Sequence, residues 1–139
     1  MVEVMIYIQK YTAYFHDGAV IDIQHTDNEI VFSLESAEMD RSDMCDELQL
    51  SERNTMKGKL HIKKLKSIKI NNLVISERLK LNYDSANIFD LEIEENLVKL
   101  AVSWENFPPK PHVNDFYSIE IMAGEIWWEN IADLYDPFW

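Results

Sequence analysis

Two stretches of alternating apolar and polar residues constrain the fold of this chain more than any other feature of its sequence. In the first, apolar residues recur at every second position in residues 19–23 and again in residues 30–34, on either side of Asp27 and Asn28. Alternation of period two around a short polar turn is typical of a β-hairpin with one buried face. We therefore predict two antiparallel strands joined at Asp27 and Asn28.

The second stretch predicts another hairpin further along the chain. Phe89, Leu91 and Ile93 alternate with acidic residues, Glu95 and Asn96 provide a turn, and apolar residues return in residues 98–104. Side chains two positions apart on a strand share a face. The pattern therefore assigns Phe89 to the same apolar face as Leu91 and Ile93.

The rest of the chain adds strands and connectors. Apolar residues alternate with lysines from Lys59 to Ile70, and a last strand is predicted around Phe116 to Met122. Pro108, Pro109 and Pro111 cannot lie inside a hydrogen-bonded ladder, so they are predicted to form a connector before that strand. Residues 37–54 are predicted to form an acidic loop with a short helical turn, residues 129–139 a short helix and an aromatic tail, and residues 2–14 either a strand or a helix.

These patterns predict one mainly β domain that spans residues 1–139. The chain is 47% hydrophobic and 12% aromatic, which is sufficient for a buried core, and no low-complexity tract or flexible linker divides it. The expected architecture is an antiparallel β-sandwich or a strongly curved sheet of about six to eight strands, with one or two short helices.

The net charge of the chain argues against nucleic-acid binding. The chain carries 13 basic and 25 acidic residues, a net charge of −12, which opposes binding to the negative backbone of nucleic acids. Six lysines lie in residues 57–69, where there is no acidic residue, and they predict a positive strip that serves either as a binding surface or as the guard of a sheet edge. Their role stays open at this point.

The same composition bears on location. One cysteine, Cys45, cannot form an intramolecular disulfide, which indicates a reducing, cytoplasmic compartment. No apolar run approaches the ~18 residues that a bilayer-spanning helix needs, and the first residues do not resemble a secretion signal. The sequence therefore predicts a cytoplasmic protein without membrane insertion.

The most distinctive short motif is Phe-His-Asp-Gly at residues 15–18. His16 and Asp17 could form an acid–base pair or bind a divalent ion, because imidazole and carboxylate both titrate and coordinate. Neighbouring residues on a strand point to opposite faces, however. In the structural alternative Asp17 closes a turn, Gly18 adopts a positive φ, and His16 hydrogen-bonds locally.

Other catalytic or metal-binding patterns are missing from the sequence. His25, His61 and His112 do not have the spacings of zinc motifs. The three glycines form no phosphate-binding loop and no nucleophile elbow. We predict no catalytic residue, no metal and no cofactor, and we leave enzymatic activity open, with binding the favoured interpretation.

A second candidate binding site, in addition to His16 and Asp17, consists of Trp127, Trp128 and Glu129. Exposed aromatic side chains are the usual anchors of protein recognition. Because Trp127 and Trp128 are neighbours, they cannot both face the core of one strand, so one of them is expected at the surface or under the C-terminal tail. The alternative is that the tail packs these aromatic residues into the core.

The residues Phe15, His16, Asp17 and Gly18, followed by Ile21 and Ile23, resemble the FHD-type opening of small bacterial proteins from polymorphic toxin systems, which are interpreted as immunity proteins. The resemblance extends to the end of the first predicted hairpin. It implies a cytoplasmic, β-rich protein that neutralises a toxin by binding it and has no chemistry of its own. It brings no catalytic residues.

Together these observations lead us to expect a non-enzymatic intracellular binding protein. Its acidic and aromatic surface would hold a protein partner of basic charge, since complementary charges accelerate association. It would act as an immunity protein or in a self-associated, homo-oligomeric form. The alternative from another class is a small enzyme or ligand-binding domain with a cleft near His16 and Asp17.

Overall fold

The computed structural model describes residues 8–40, 42, 49–81, 83–113 and 115–134. Within these ranges two short 3-10 helices, Ile8–Lys10 and Thr12–Phe15, precede seven strands. The strands are β1 (Ala19–His25), β2 (Glu29–Glu38), β3 (Thr55–Ile70), β4 (Leu73–Val74), β5 (Ser85–Glu94), β6 (Leu97–Glu105) and β7 (Phe116–Asn130). The two predicted hairpins are β1 with β2 and β5 with β6, and both are confirmed.

The strands form one continuous antiparallel sheet in the order β2-β1-β5-β6-β7-β3-β4. Because β2 also pairs with β3, six of the strands close into a barrel and β4 lies outside the ring. The mainly antiparallel β fold is confirmed, but the sheet closes into a barrel, which is neither the expected sandwich nor simply a strongly curved sheet. Closure depends on β3, whose 16 residues are long enough to pair with β2 on one side and β7 on the other.

Closure of the ring buries the inward-facing side chains of each strand. On β2 and β6 every second residue is almost fully buried, and each such side chain contributes roughly 1.5–3 kcal/mol relative to exposure. Trp128 of β7 also lies inside, where its ring packs edge-to-face on Phe15 at 5.7 Å between centroids. The buried apolar residues on these two strands are Ile30, Phe32, Leu34, Val98, Leu100, Val102 and Trp104.

The lysine-rich segment 57–69 lies on β3, which pairs with β7 along one side and, on the other side, with β2 up to Lys63 and with β4 from Lys69. The part up to Lys63 therefore does not guard a free edge, whereas Lys64 and Lys66 lie in a stretch without a partner strand on that side. The register places Lys59 opposite Glu129, Lys63 opposite both Glu29 and Glu125, and Lys69 opposite Glu120. Side chains directly opposite each other on adjacent strands are close enough to interact. Lys59, Lys63 and Lys69 consequently have carboxylates from β2 or β7 opposite them, so these three lysines do not form an isolated positive strip.

The C-terminal part of the chain differs from its prediction. Glu129 and Asn130 were expected to begin a short helix, but they belong to β7 because they pair with Lys59 and Gly58 of β3. The predicted aromatic tail, residues 135–139, lies outside the described residues. Cys45 and residues 41, 43–44 and 46–48 of the predicted acidic loop also lie outside them.

The segments before β1 and between β6 and β7 agree better with the predictions made from the sequence. β6 ends at Glu105 and the proline-rich segment leads to β7, as predicted. The N-terminal stretch that was predicted as strand or helix contains the two 3-10 helices in its described part. Within the described ranges, these helices lack the length and apolar composition that a bilayer-spanning segment requires.

Candidate interaction surfaces

A β-bulge in β5 places one aromatic ring on the outside of the barrel. Ile88 pairs with Val102 and Asp90 with Ala101, so Phe89 is the extra residue between them. A bulge of this kind changes the face to which a side chain points. Ile88 is fully buried and Phe89 is 48% exposed. The prediction that Phe89 shares the buried face of its strand is therefore wrong, although Leu91 and Ile93 are buried as expected.

Phe116, the first residue of β7, completes an exposed aromatic pair with Phe89. The two ring centroids are 5.4 Å apart and the planes make an angle of 68°, an edge-to-face contact. Phe116 is 50% exposed. Each ring therefore rests on the other and still presents about half of its area to solvent. Two large aromatic side chains held together at a surface form an apolar feature that a binding partner can cover.

His16 fixes the bulge from the segment before β1. Its Nδ1–H donates a hydrogen bond to the carbonyl oxygen of Phe89 at 2.5 Å. This bond, followed in importance by the nearby Asp17 carboxylate, raises the pKa of His16 above its ordinary value of 6.5. The other ring nitrogen, Nε2, lies 3.7 Å from Asp17 Oδ2. The imidazole is thus anchored to the backbone of β5 on one side and faces a carboxylate on the other.

Asp17 has the positive φ, 67°, that was expected at Gly18. Its backbone N–H donates to the carbonyl of Ile88 at 2.9 Å, which holds the turn against the bulge. Gly18 is needed for a different reason, because a Cβ at this position would lie 2.3 Å from the carbonyl oxygen of Glu35. Since the motif forms a turn and not a strand, the side chains of His16 and Asp17 can approach each other.

We call the outer surface formed by Phe89, Phe116, His16, Asp17 and Asp90 the aromatic patch. Asp90 follows Phe89 in the chain, and Asp17, Asp90 and His16 are all exposed. The patch therefore combines two phenyl rings with two carboxylates.

Asp115 adds a further exposed carboxylate immediately before Phe116. It accepts a hydrogen bond from the Tyr83 hydroxyl at 2.5 Å. Acidic side chains thus flank both members of the aromatic pair.

A second group of side chains lies on the outer face of β2, β3 and β7, and we call it the His61 cluster. It consists of Glu29, His61, Lys63, Trp127 and Glu129. The His61 imidazole stacks on the Trp127 indole at 4.1 Å between centroids and 6° between planes. Its Nδ1 lies 3.2 Å from Glu29 Oε1 and its Nε2 lies 2.8 Å from Glu129 Oε1. The Lys63 ammonium lies over the indole, 5.8 Å from its centroid.

The His61 cluster joins three strands but offers little for catalysis. Both ring nitrogens of His61 already lie within hydrogen-bonding distance of carboxylates, and the side chain is only 14% exposed, so a substrate would have to displace one of these contacts to reach the imidazole. An open depression of about 450 Å³ lies beside the cluster, lined in part by Asp27, Glu29, Lys63 and Glu125. Among the described residues, no three His, Cys, Asp or Glu side chains are grouped so as to hold a metal ion.

The structure separates the residues that the sequence selected for binding. His16 and Asp17 lie in the aromatic patch, whereas Trp127 and Glu129 lie in the His61 cluster. Trp128 is 5% exposed and lies in the core. The prediction that Trp127 and Trp128 cannot both face inward is confirmed.

Sequence reasoning missed Phe89, Phe116 and His61 as surface residues. No local pattern marks the bulge at Phe89, and the neighbours of His61 come from strands more than 30 residues away along the chain in each direction. The one available signal was the acidic residue on each side of the pair, Asp90 after Phe89 and Asp115 before Phe116.

Comparison with known proteins identified no relative of this chain. No protein-family model matches the sequence, no curated protein is significantly similar to it, and no solved structure matches its fold at a significant level.

Proposed function

We propose that this protein is a non-enzymatic, cytoplasmic binding domain that holds a basic protein partner through the aromatic patch. The observation that carries the proposal is the exposed edge-to-face pair of Phe89 and Phe116. Aromatic rings are strongly enriched among the few interface residues that dominate binding energy. A ring that is already held in place by a neighbouring ring loses little conformational freedom when a partner covers it.

The charge around the rings supports a basic partner. Asp17 and Asp90 belong to the patch, Asp115 precedes Phe116, and the whole chain carries a net charge of −12. Complementary charge raises the rate of association and disfavours acidic competitors. A cationic protein therefore fits this surface better than a neutral or an acidic one.

Toxin neutralisation is the specific form of binding that we propose. The His-Asp pair of the FHD-type motif is not buried in the fold, because His16 is 61% exposed and contacts the backbone of Phe89. The motif that carries the resemblance to immunity proteins thus contributes directly to the aromatic patch. A basic toxin, bound without any chemical step, would account for both the motif and the acidic surface.

The alternative of a small enzyme or ligand-binding domain gains less support from the geometry. It requires a cleft beside His16 and Asp17, whereas these side chains stand on an exposed turn. The depression of about 450 Å³ lies beside Glu29 and Lys63, and a second one of about 500 Å³ lies beside Glu38 and Asn54. Neither is lined by His16 or Asp17.

The proposal is tested by affinity purification of the tagged protein from its native host at low salt, with elution by increasing salt and identification of what elutes. The informative variant is the double substitution Phe89→Ala and Phe116→Ala. The matched control is Leu73→Ala with Val74→Ala, because both of those apolar side chains are 71% exposed and lie on β4 outside the barrel. Loss of one central anchor costs about 2 kcal/mol, or roughly 30-fold in Kd.

We expect a basic protein to elute in stoichiometric amount from the wild type and from the β4 control, and to be lost from the phenylalanine variant. Retention of the same partner by both variants would exclude the aromatic patch as the contact surface. If the wild type is a dimer by light scattering and only the phenylalanine variant is a monomer, the patch mediates self-association, and a basic partner is not its occupant.

A further inference from the structure

We propose that the aromatic patch recognises an arginine side chain of its partner, an inference that rests on the proposed function and makes it more specific. The feature that points to arginine is the combination of exposed ring faces with carboxylates on the same small surface. Each element alone would suit many partners. Their combination matches the two properties of a guanidinium group, which is flat and carries a delocalised positive charge.

The rings supply the first half of the site. Phe89 and Phe116 meet at 68° with their centroids 5.4 Å apart, and each residue is about half exposed, so the pair leaves aromatic surface accessible to a partner. The face of an aromatic ring carries negative electrostatic potential and attracts cations within about 6 Å of its centroid. A guanidinium can lie flat on one of these faces while its alkyl stem covers the other ring.

The carboxylates supply the second half. Asp90 adjoins the bulged Phe89, and Asp17 is tied to the same bulge through its N–H bond to the Ile88 carbonyl. Both groups are exposed and raise the pKa of His16, because both carboxylates lie near its imidazole. Arginine can donate two parallel hydrogen bonds to a carboxylate in its fixed plane.

Other occupants fit this surface less well. A purely apolar side chain would cover the rings but would also remove water from the neighbouring carboxylates without replacing its hydrogen bonds, which is unfavourable. A lysine ammonium is a compact and strongly hydrated charge that cannot stack and pair in one plane. An acidic or phosphate group would be repelled by Asp17 and Asp90.

Three cations among the described residues face carboxylates outside the aromatic patch. Arg53 binds Glu35 through two hydrogen bonds and Arg78 pairs with Asp27. Lys99, the lysine of β6, lies between Glu92 and Glu120 in the register of the sheet. The patch carboxylates are therefore not matched to either of these two arginines or to Lys99. Within the patch, His16 Nε2 lies 3.7 Å from Asp17 Oδ2, so a partner arginine would share Asp17 with the imidazole.

The test is an NMR titration of the intact protein with three acetylated and amidated pentapeptides, each with four glycines around a central residue. The central residue is arginine, citrulline or lysine. Citrulline has nearly the shape of arginine but no charge, which makes it the matched control for the probe. The signals to follow are the ring resonances of Phe89 and Phe116 and the backbone amides of Asp17 and Asp90.

We expect the arginine peptide to shift these signals with a millimolar Kd, and the citrulline and lysine peptides to bind at least about 10-fold and 3-fold more weakly. The variant Asp17→Asn with Asp90→Asn should weaken arginine binding by about 3-fold or more. Asparagine suits the positive φ of residue 17, so this variant should fold. The control Glu52→Gln with Glu77→Gln removes the same charge from exposed positions and should have no such effect.

Equal binding of arginine and citrulline, or shifts that avoid both phenylalanine rings, would overturn the inference. The two proposals fail differently. If the phenylalanine variant loses its basic partner but arginine has no advantage over citrulline, the binding function stands and arginine recognition is wrong. If arginine is selected in the titration but the partner is unaffected by loss of the rings, the site is specific for arginine and the proposed partner surface is wrong.

Discussion

Replacement of Gly58 by alanine tests the closure of the barrel most directly. Gly58 lies on β3 opposite Asn130 of β7. A Cβ at this position would lie 2.1 Å from the carbonyl oxygen of Glu129 and 2.7 Å from the ring of Trp128. Ordinary contacts begin at 3.4 Å, so β7 would have to move away from β3 by more than 1 Å.

Such a movement is costly because the opposing atoms belong to the backbone and to a core side chain. Overpacking of a well-packed interior costs about 1–3 kcal/mol, and we place Gly58→Ala near the upper end of that range. For a domain of this size the loss corresponds to a decrease in Tm of roughly 10 °C. The assay is chemical and thermal unfolding, followed by tryptophan fluorescence and by circular dichroism.

Gly124→Ala is the matched control on β7. The nearest atom to a Cβ at Gly124 is the Cβ of Lys64, at 3.0 Å, followed by its Cδ at 3.2 Å, and a shift of a few tenths of an ångström would relieve these contacts. We expect a change in unfolding free energy within about 0.5 kcal/mol. If Gly58→Ala and Gly124→Ala destabilise equally, the close approach of β7 to β3 at Gly58 is wrong, and with it the geometry of the closed ring.

Three further predictions concern titration and buried charge. Partial burial, followed by the charge of Arg78, lowers the pKa of His25 below 6.5, and its Nδ1 accepts the N–H of Leu79. Stability should therefore decline as the pH falls below 6.5, and less so in His25→Asn, as measured by urea unfolding at pH 7 and 5. The raised pKa of His16 predicts an NMR titration midpoint above 6.5 for its imidazole. Protonated His16 should stabilise the fold at lower pH, and this stabilisation should be lost as the pH rises through the midpoint. A midpoint at or below 6.5 would contradict the prediction. Glu35→Gln should cost about 1–3 kcal/mol, measured by denaturant unfolding, because the buried carboxylate binds an arginine and a threonine; a change below about 0.5 kcal/mol would contradict that role.

Local sequence patterns were sufficient to predict the hairpins. The alternation in β1 and β2 follows from neighbours in the chain, and the polar pair between them fits a turn, so the pairing of the two strands agrees with the prediction. The alternation itself fails near Ile21, where a register shift leaves both Val20 and Ile21 buried. The same reasoning failed at Phe89, where one extra residue reverses the face without any change in composition. The bulge at Phe89 is held by a hydrogen bond from His16, which is distant in the sequence. A local alternation pattern cannot predict such a long-range contact.

The closure of the sheet and the His61 cluster depend on long-range register. His61 and Trp127 stack because β3 and β7 place them opposite each other, although 65 residues separate them in the sequence. Alternation shows that each strand has a polar face, but it does not show which strand lies beside it. For the same reason a barrel could not be distinguished from a sandwich.

The double pairing of β3 has a consequence for how the chain reaches its folded state. The second side of β3 is covered by β7, the last of the described strands. Its paired residues lie up to about 70 positions later in the chain, so this side of β3 is unpaired until β7 has docked. Until then the growing or refolding chain exposes an open strand edge, which is the usual starting point for aggregation. The lysines of β3 then repel other chains at the stage when that protection is needed, and they acquire their acidic neighbours from β7 once the ring is complete.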